Sequence, residues 1–135
     1  MSTQTATERV EIRTAEDIVR VRQLVRTRAQ AAGLTIVDQT KVITAASEIA
    51  RNTLDYGGGG DVEIEMVAEP KKNGVRLTFR DQGPGIPDIE QALRDNFTTG
   101  GGLGLGLGGA KRLVNEFKIE SKVGVGTTIV LARWK

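Results

Sequence analysis

The chain has 135 residues, enough for one compact domain that buries roughly two-thirds of its unfolded surface. It contains no cysteine and no histidine, which excludes disulfides, thiolate nucleophiles, imidazole bases and nearly all transition-metal sites; carboxylates, hydroxyls, lysine or a hard cation are left for any catalysis. A formal charge of +2, spread over mixed acidic and basic residues, and an aromatic content of 4% give no expectation of a nucleic-acid partner or an anionic-membrane surface.

Val10 and Ile12 alternate with Arg9, Glu11 and Arg13, which predicts a short first strand. Thr14 is placed to cap a helix, with Asp17 at the third position reaching back. Ile18, Val21, Leu24, Val25 and Ala29 keep helical spacing until Gly33, predicting a helix over 15–32. A second helix is expected from near Asp38 through Val42, Ala46, Ile49, Ala50 and Leu54. It should end where Gly57 to Gly60 make helix unfavourable. Val62, Ile64, Met66 and Ala68, then Val75, Leu77 and Phe79, alternate on either side of Pro70 to Gly74 and predict an antiparallel hairpin. The stretch Asp81-Gln82-Gly83-Pro84-Gly85-Ile86-Pro87 fits neither period and reads as a shaped loop.

A short helix over 88–95, a glycine-rich stretch to Gly109, a helix carrying Ala110, Leu113, Val114 and Phe117, and a closing hairpin of 119–122 with 127–134 complete the pattern. No apolar run approaches the ~20 residues of a membrane span, and Met1 to Glu8 is polar, so no membrane association and a cytoplasmic location are expected. The element order predicts a single domain over residues 1–135. Its expected fold is an α/β (α+β) two-layer sandwich with helices on one face of a mostly antiparallel, mixed sheet.

Three groups of residues carry chemistry. Glu48 and Asn52 are four apart in the second helix and project about 40° apart. A carboxylate beside an amide oxygen suits a proton acceptor and a hydrated Mg²⁺, although many such pairs are simply solvated surface. Asp81-x-Gly83-x-Gly85 follows an apolar strand directly; a carboxylate there can accept from a purine amino group while bare backbone approaches the flat base. Seven of the 17 glycines lie between Gly100 and Gly109, ahead of a helix, where unobstructed amides can meet polyphosphate. Leu103, Leu105 and Leu107 would anchor that arm. The spacing is neither that of a P-loop nor that of a Rossmann turn.

In chain order these groups, followed by Gly126-Thr127 at the start of the last strand, resemble the N, G1, G2 and terminal Gly-Thr boxes of the GHKL ATPases, which share the Bergerat fold. The resemblance covers residues 47 to 128 in detail. It implies that Asp81 binds the adenine amino group of ATP with help from Thr127, and that Asn52 ligates Mg²⁺. It implies further that Gly83, Gly85, Gly102, Gly104, Gly106 and Gly108 bring backbone against the nucleotide, and that Glu48 orients or deprotonates an acceptor hydroxyl. Asn96-Phe97-Thr98-Thr99 is similar to the segment at which the lid over ATP hinges in this group.

The lack of histidine argues against sensor histidine kinases, and the length against gyrase, the large chaperones and MutL proteins. The stand-alone serine-kinase branch remains, with its anti-sigma factors of the SpoIIAB/RsbW kind and its RsbT-like switch kinases. Ser47 to Asn52, Asp81 to Ile89, Gly101 to Leu107 and Val37-Asp38-Gln39 are more similar to the RsbT-like pattern. That resemblance implies an ATP- and Mg²⁺-dependent serine/threonine protein kinase. Such a kinase phosphorylates STAS-domain antagonist proteins of a stressosome-type complex and then activates a PP2C-type phosphatase. The alternatives are an anti-sigma factor kinase and a non-catalytic, nucleotide-gated binding module; a pure binder would have no need of Glu48. One departure concerns the arginine that anti-sigma kinases place before the G2 glycines, where this chain has Thr98-Thr99. Mg²⁺, helix amides, Lys111 or Arg112 are left to balance the charge of the terminal phosphate.

Overall fold

The computed structural model describes residues 7–94 and 106–135. Strand β1 (Thr7–Ile12) leads into helices α1 (Ala15–Ala31) and α2 (Ile36–Asp55), followed by the hairpin of β2 (Gly60–Ala68) and β3 (Asn73–Asp81). Short helices α3 (Ile89–Ala92) and α4 (Leu107–Arg112) precede the closing hairpin of β4 (Glu116–Lys122) and β5 (Gly126–Trp134).

Helices α1, α2 and α3 start where a side chain takes up backbone donors left unpaired at the helix entry, whereas α4 starts after Gly106 with no side-chain cap. The Asp17 carboxylate accepts from the N–H groups of Arg13 at 2.8 Å and Thr14 at 3.0 Å. Thr35 Oγ1 accepts from the Asp38 N–H at 3.2 Å, so α2 begins at Ile36, two residues earlier than its apolar pattern predicts. Asp88 caps α3 in the same way, accepting from the Gln91 N–H at 3.0 Å. At its far end α2 closes through glycine amides: Gly57 N–H donates to the Asn52 carbonyl at 3.0 Å and Gly59 N–H to that of Thr53 at 2.9 Å.

The sheet order is β1-β2-β3-β5-β4, and all four neighbouring pairs are antiparallel. The described strands therefore form a purely antiparallel sheet, and the expected parallel component is absent among them. One sheet face carries Ile12, Val62, Ile64, Leu77, Phe79, Ile129 and Leu131. Against it α1 buries Ile18, Val21, Val25 and Ala29, and α2 buries Val42, Ala46, Ile49 and Ala50. Strand period 2 and helical period 3.6 thus supply one shared core, as the two-layer reading requires.

A second correction concerns residues 110–117. The predicted helix through Phe117 stops at Arg112, and Phe117 lies in β4 opposite Leu131. Apolar residues at 110, 113, 114 and 117 fit a helix, but Phe117 and Ile119 also fit a strand. The free edge of β5 decides between them, since Asn115 N–H donates to the Ala132 carbonyl at 2.8 Å and opens the ladder there. Among the described residues no helix is long and apolar enough to cross a membrane.

The start of α2 is tied to the end of β5 by Arg133, whose Nη2 donates to Asp38 Oδ1 at 2.6 Å while Nη1 reaches the Leu113 carbonyl at 3.4 Å. Both side chains are largely buried. The hydrogen bond from Arg133 holds the Asp38 carboxyl below its usual range despite burial. A lowered folded-state pKa gives stability that is present above the ordinary aspartate range and is lost as pH falls through the folded value. Asp38→Asn is therefore expected to lower unfolding free energy by about 1–2 kcal/mol at neutral pH. The difference from the native chain should shrink in strong acid. Urea denaturation at pH 7 and below pH 3 checks both parts.

Candidate functional site

The sequence-derived residues meet along the C-terminal half of α2. Asn52 is buried and Glu48, one turn earlier, is exposed, so the two present an inner amide and an outer carboxylate. Asp81 ends β3 at the sheet rim. Its Oδ1 accepts from the Gly83 N–H at 2.9 Å, and the Thr127 N–H also donates to the carboxylate. Burial raises the Asp81 pKa above the ordinary aspartate value, while these two amides oppose the rise.

Glycine is required where α2 meets the loop after β3. A methyl group added at Gly57 would come to 2.5 Å from the Asp81 carboxyl carbon, and one at Gly83 would come to 2.7 Å from the Gly57 Cα. Bare backbone packs on bare backbone, which puts the loop against the helix end and leaves Asp81 between them. Gly85 is held from the same helix, since its carbonyl accepts from Tyr56 Oη at 2.8 Å. Thr127 is buried opposite Asp81 in the β3–β5 register.

Sequence reasoning missed two of the residues that fasten this loop. Tyr56 carries no signal of such a role in the sequence, yet it ties the end of α2 to Gly85. Ser121 Oγ accepts from the Ile86 N–H at 2.7 Å and lies 2.7 Å from Thr127 Oγ1. Its signal is a register one: Ser121 faces Thr127 across β4 and β5, which only the pairing of the closing hairpin reveals.

The glycine arm is described from Gly106 onward. Gly106, the residue before α4, has φ +71°, and a methyl group there would come to 2.6 Å from Glu48 Oε1. Gly108 and Leu107 are buried in the first turn of α4, with Leu107 anchoring it as expected. The structure thus places the end of the arm directly on the Glu48 carboxylate. Gly102, Gly104, Leu103, Leu105 and the hinge segment Asn96 to Thr99 lie outside the described residues. Gly106→Ala should add left-handed backbone strain and push the exposed Glu48 carboxylate aside, so about tenfold slower turnover is expected with the fold retained. Steady-state kinetics beside a circular dichroism melt checks this.

No cluster of three or more acidic, cysteine or histidine ligands occurs among the described residues. A cation here would be held by one or two protein oxygens together with ligand phosphates, the mode Mg²⁺ favours. The paired glycine contacts at Gly57 and Gly83, the half-buried Asp81 and the inward Asn52 suit a flat base at one end and a polar, metal-bearing group at the other.

An antiparallel sheet covered on one face by helices, with a carboxylate at its rim and Gly106 set against the central helix, defines a nucleotide-binding domain of the GHKL class. The chain belongs to the family described as histidine kinase-, DNA gyrase B- and HSP90-like ATPases, whose model matches residues 37–135, and within it to the branch of RsbT and the anti-sigma F factors. It is 49% identical over 125 residues to the serine/threonine-protein kinase RsbT of Bacillus subtilis (strain 168), covering 93% of this chain and 94% of that one. It is 36% identical over 106 residues to the anti-sigma F factor of Geobacillus kaustophilus (strain HTA426), covering 73% and 71% of the two chains. A crystal structure of the RsbU and RsbW domains of Rv1364c from Mycobacterium tuberculosis superposes with a TM-score of 0.64 at 21% identity. That match covers 98% of this chain and 35% of the other, and it bears on the fold alone.

Proposed function

We propose that the chain is an ATP-dependent serine/threonine protein kinase that phosphorylates a STAS-domain antagonist protein and, once released, activates a PP2C-type phosphatase. The observation that carries the kinase reading is the seating of Glu48 against Gly106, which puts an exposed carboxylate where the glycine arm meets α2. Gly57, beside Asp81 just past the end of α2, lies nine residue steps on from Glu48, about 13 Å at helical rise. That span matches a nucleoside triphosphate laid from base to terminal phosphate. The 49% identity to RsbT over nearly both chains supports the choice of a switch kinase over an anti-sigma factor.

In this reading the Asp81 carboxylate accepts from the adenine amino group, while Thr127, fixed by Ser121, lines the same end. Gly83 and Gly85 let the loop backbone lie against the base. Gly106 and Gly108, with Gly102 and Gly104 before them, bring amides toward the phosphates. Asn52 offers its side-chain oxygen to Mg²⁺, which when bound neutralises phosphate charge. Glu48 orients the acceptor hydroxyl and takes its proton as the new oxygen–phosphorus bond forms. The bond from the γ-phosphorus to the bridging oxygen breaks, and ADP leaves with the electron pair. Positioning and charge balance supply most of the rate in such a transfer.

The test is incubation of the purified chain with terminally labelled ATP, Mg²⁺ and a STAS-domain protein. Label on a Ser or Thr of that protein is expected, mapped by mass spectrometry. ATP binding without any transfer would leave only the nucleotide-gated binding module.

A further inference from the structure

Ile36 and Val37 stand 74% and 62% exposed in the first turn of α2, the helix that also carries Glu48. Large apolar side chains this open are few among the described residues: the others are Val19 on α1 and Val123 and Val125 in the turn between β4 and β5. Capping explains why the helix starts at Ile36, but it requires no apolar residue at these two positions, where polar ones would serve equally well.

The placement of Val37 relative to Glu48 is regular. At 100° per residue, Val37 projects within about 20° of Glu48, and the eleven residue steps from one to the other span about 16 Å. Lys41 and Thr44 fall on the same stripe, within about 40° of Glu48, with Thr44 exposed and Lys41 half-exposed. The stripe therefore runs from Val37, past a cation and a hydroxyl, to the carboxylate that Gly106 touches, with Ile36 flanking its open end about 120° from Glu48. Asn52, Gly57 and Asp81 lie at the other end of the helix, so the nucleotide makes no claim on this surface.

We propose that this stripe is the docking surface for the phosphoacceptor protein, resting on the reading of Glu48 as the carboxylate that faces the acceptor. An apolar side chain of the acceptor covers Ile36 and Val37, an acidic group meets Lys41, and the hydroxyl lies over Glu48. The acceptor segment then carries its apolar anchor about 16 Å from the phosphorylated residue. A second copy of this chain does not fit the role, because covering the stripe would bar the acceptor from Glu48. Burying two open aliphatic side chains against the partner removes apolar area from water and so favours the complex.

The experiment compares Val37→Asp, the uncharged Ile36→Ser/Val37→Ser double variant and Val19→Asp with the native chain. Asp is favourable in the first turn of a helix, so the first variant keeps α2 formed. Calorimetry with a purified STAS-domain protein in Mg-ADP, and transfer kinetics with labelled ATP, are the readouts. The expected result is at least a tenfold weaker affinity and a matching rise in KM for the acceptor in both α2 variants. Neither kcat at saturating acceptor nor KM for ATP should change, and Val19→Asp should behave as native. Unchanged affinity and KM in the α2 variants, or an equal loss in Val19→Asp, overturns the docking surface while leaving the kinase reading intact. If the native chain binds the acceptor without transferring phosphate, the kinase reading falls and the affinity ratio alone decides the dock. Absence of binding to the native chain overturns the dock outright.

Discussion

A Glu48→Gln chain is expected to bind Mg-ATP within about twofold of the native affinity and to transfer phosphate at least about 100-fold more slowly. Glutamine keeps the size of the side chain and its seat against Gly106, so the arm and the fold stay in place. The amide cannot take the acceptor proton, and its NH₂ would face the hydroxyl with a donor where an acceptor is needed. The phosphoryl transition state is loose, and most of its stabilisation comes from positioning and charge. The size of the loss therefore measures how far Glu48 orients the hydroxyl as well as deprotonating it. Calorimetry gives the binding arm and single-turnover transfer the chemical arm. Native transfer rates in this variant would remove Glu48 from the mechanism.

Asp81→Asn is expected to weaken adenine nucleotide binding by about 10- to 100-fold, the value of a hydrogen bond to a charged group in a half-buried place. In the native chain one carboxylate serves the Gly83 and Thr127 amides and still has lone pairs to offer a purine amino group. Asparagine has a single acceptor oxygen, which the loop amide occupies, and its own NH₂ would oppose the ligand. The same site predicts a pH dependence. Burial raises the Asp81 pKa, so protonation of the free protein begins at higher pH than for an exposed aspartate. Protonation removes the acceptor, and ATP affinity should fall as pH is lowered through this raised value. Asp81→Asn should flatten that part of the profile. Titrations from pH 7.5 downward measure both; equal affinity in variant and native chain would move the base-binding role elsewhere.

Much of this layout was legible in the residues themselves. The two long helices were readable because their apolar stripes persist over several turns and end in glycine, and the β2–β3 hairpin because its alternation flanks a turn-forming stretch. Asp81, Gly83 and Gly85 were legible as a candidate site because a loop so rich in glycine and proline after an apolar strand has no use in regular structure. The stretch 110–117 was not, since its apolar residues satisfy both periods and the choice lay with the unpaired edge of β5, more than ten residues away in sequence. Tyr56 and Ser121 were invisible as loop fasteners for a related reason. A hydroxyl becomes a fastener only through the partner brought to it, and those partners, Gly85 and Ile86, lie 29 and 35 residues distant.

The sequence by itself determined the repertoire: carboxylate, amide, hydroxyl and bare backbone, with no thiol or imidazole, on helices and strands whose periods were already set. Tertiary structure alone decided which of these meet. Gly57 rests on Asp81 and Gly83 on the Gly57 backbone because the loop after β3 packs on the end of α2 with no room for a side chain there, while Gly106 meets the open end of the Glu48 side chain. Local periodicity can fix which face of an element is apolar, but long-range packing selects the neighbours, and the site is made of neighbours.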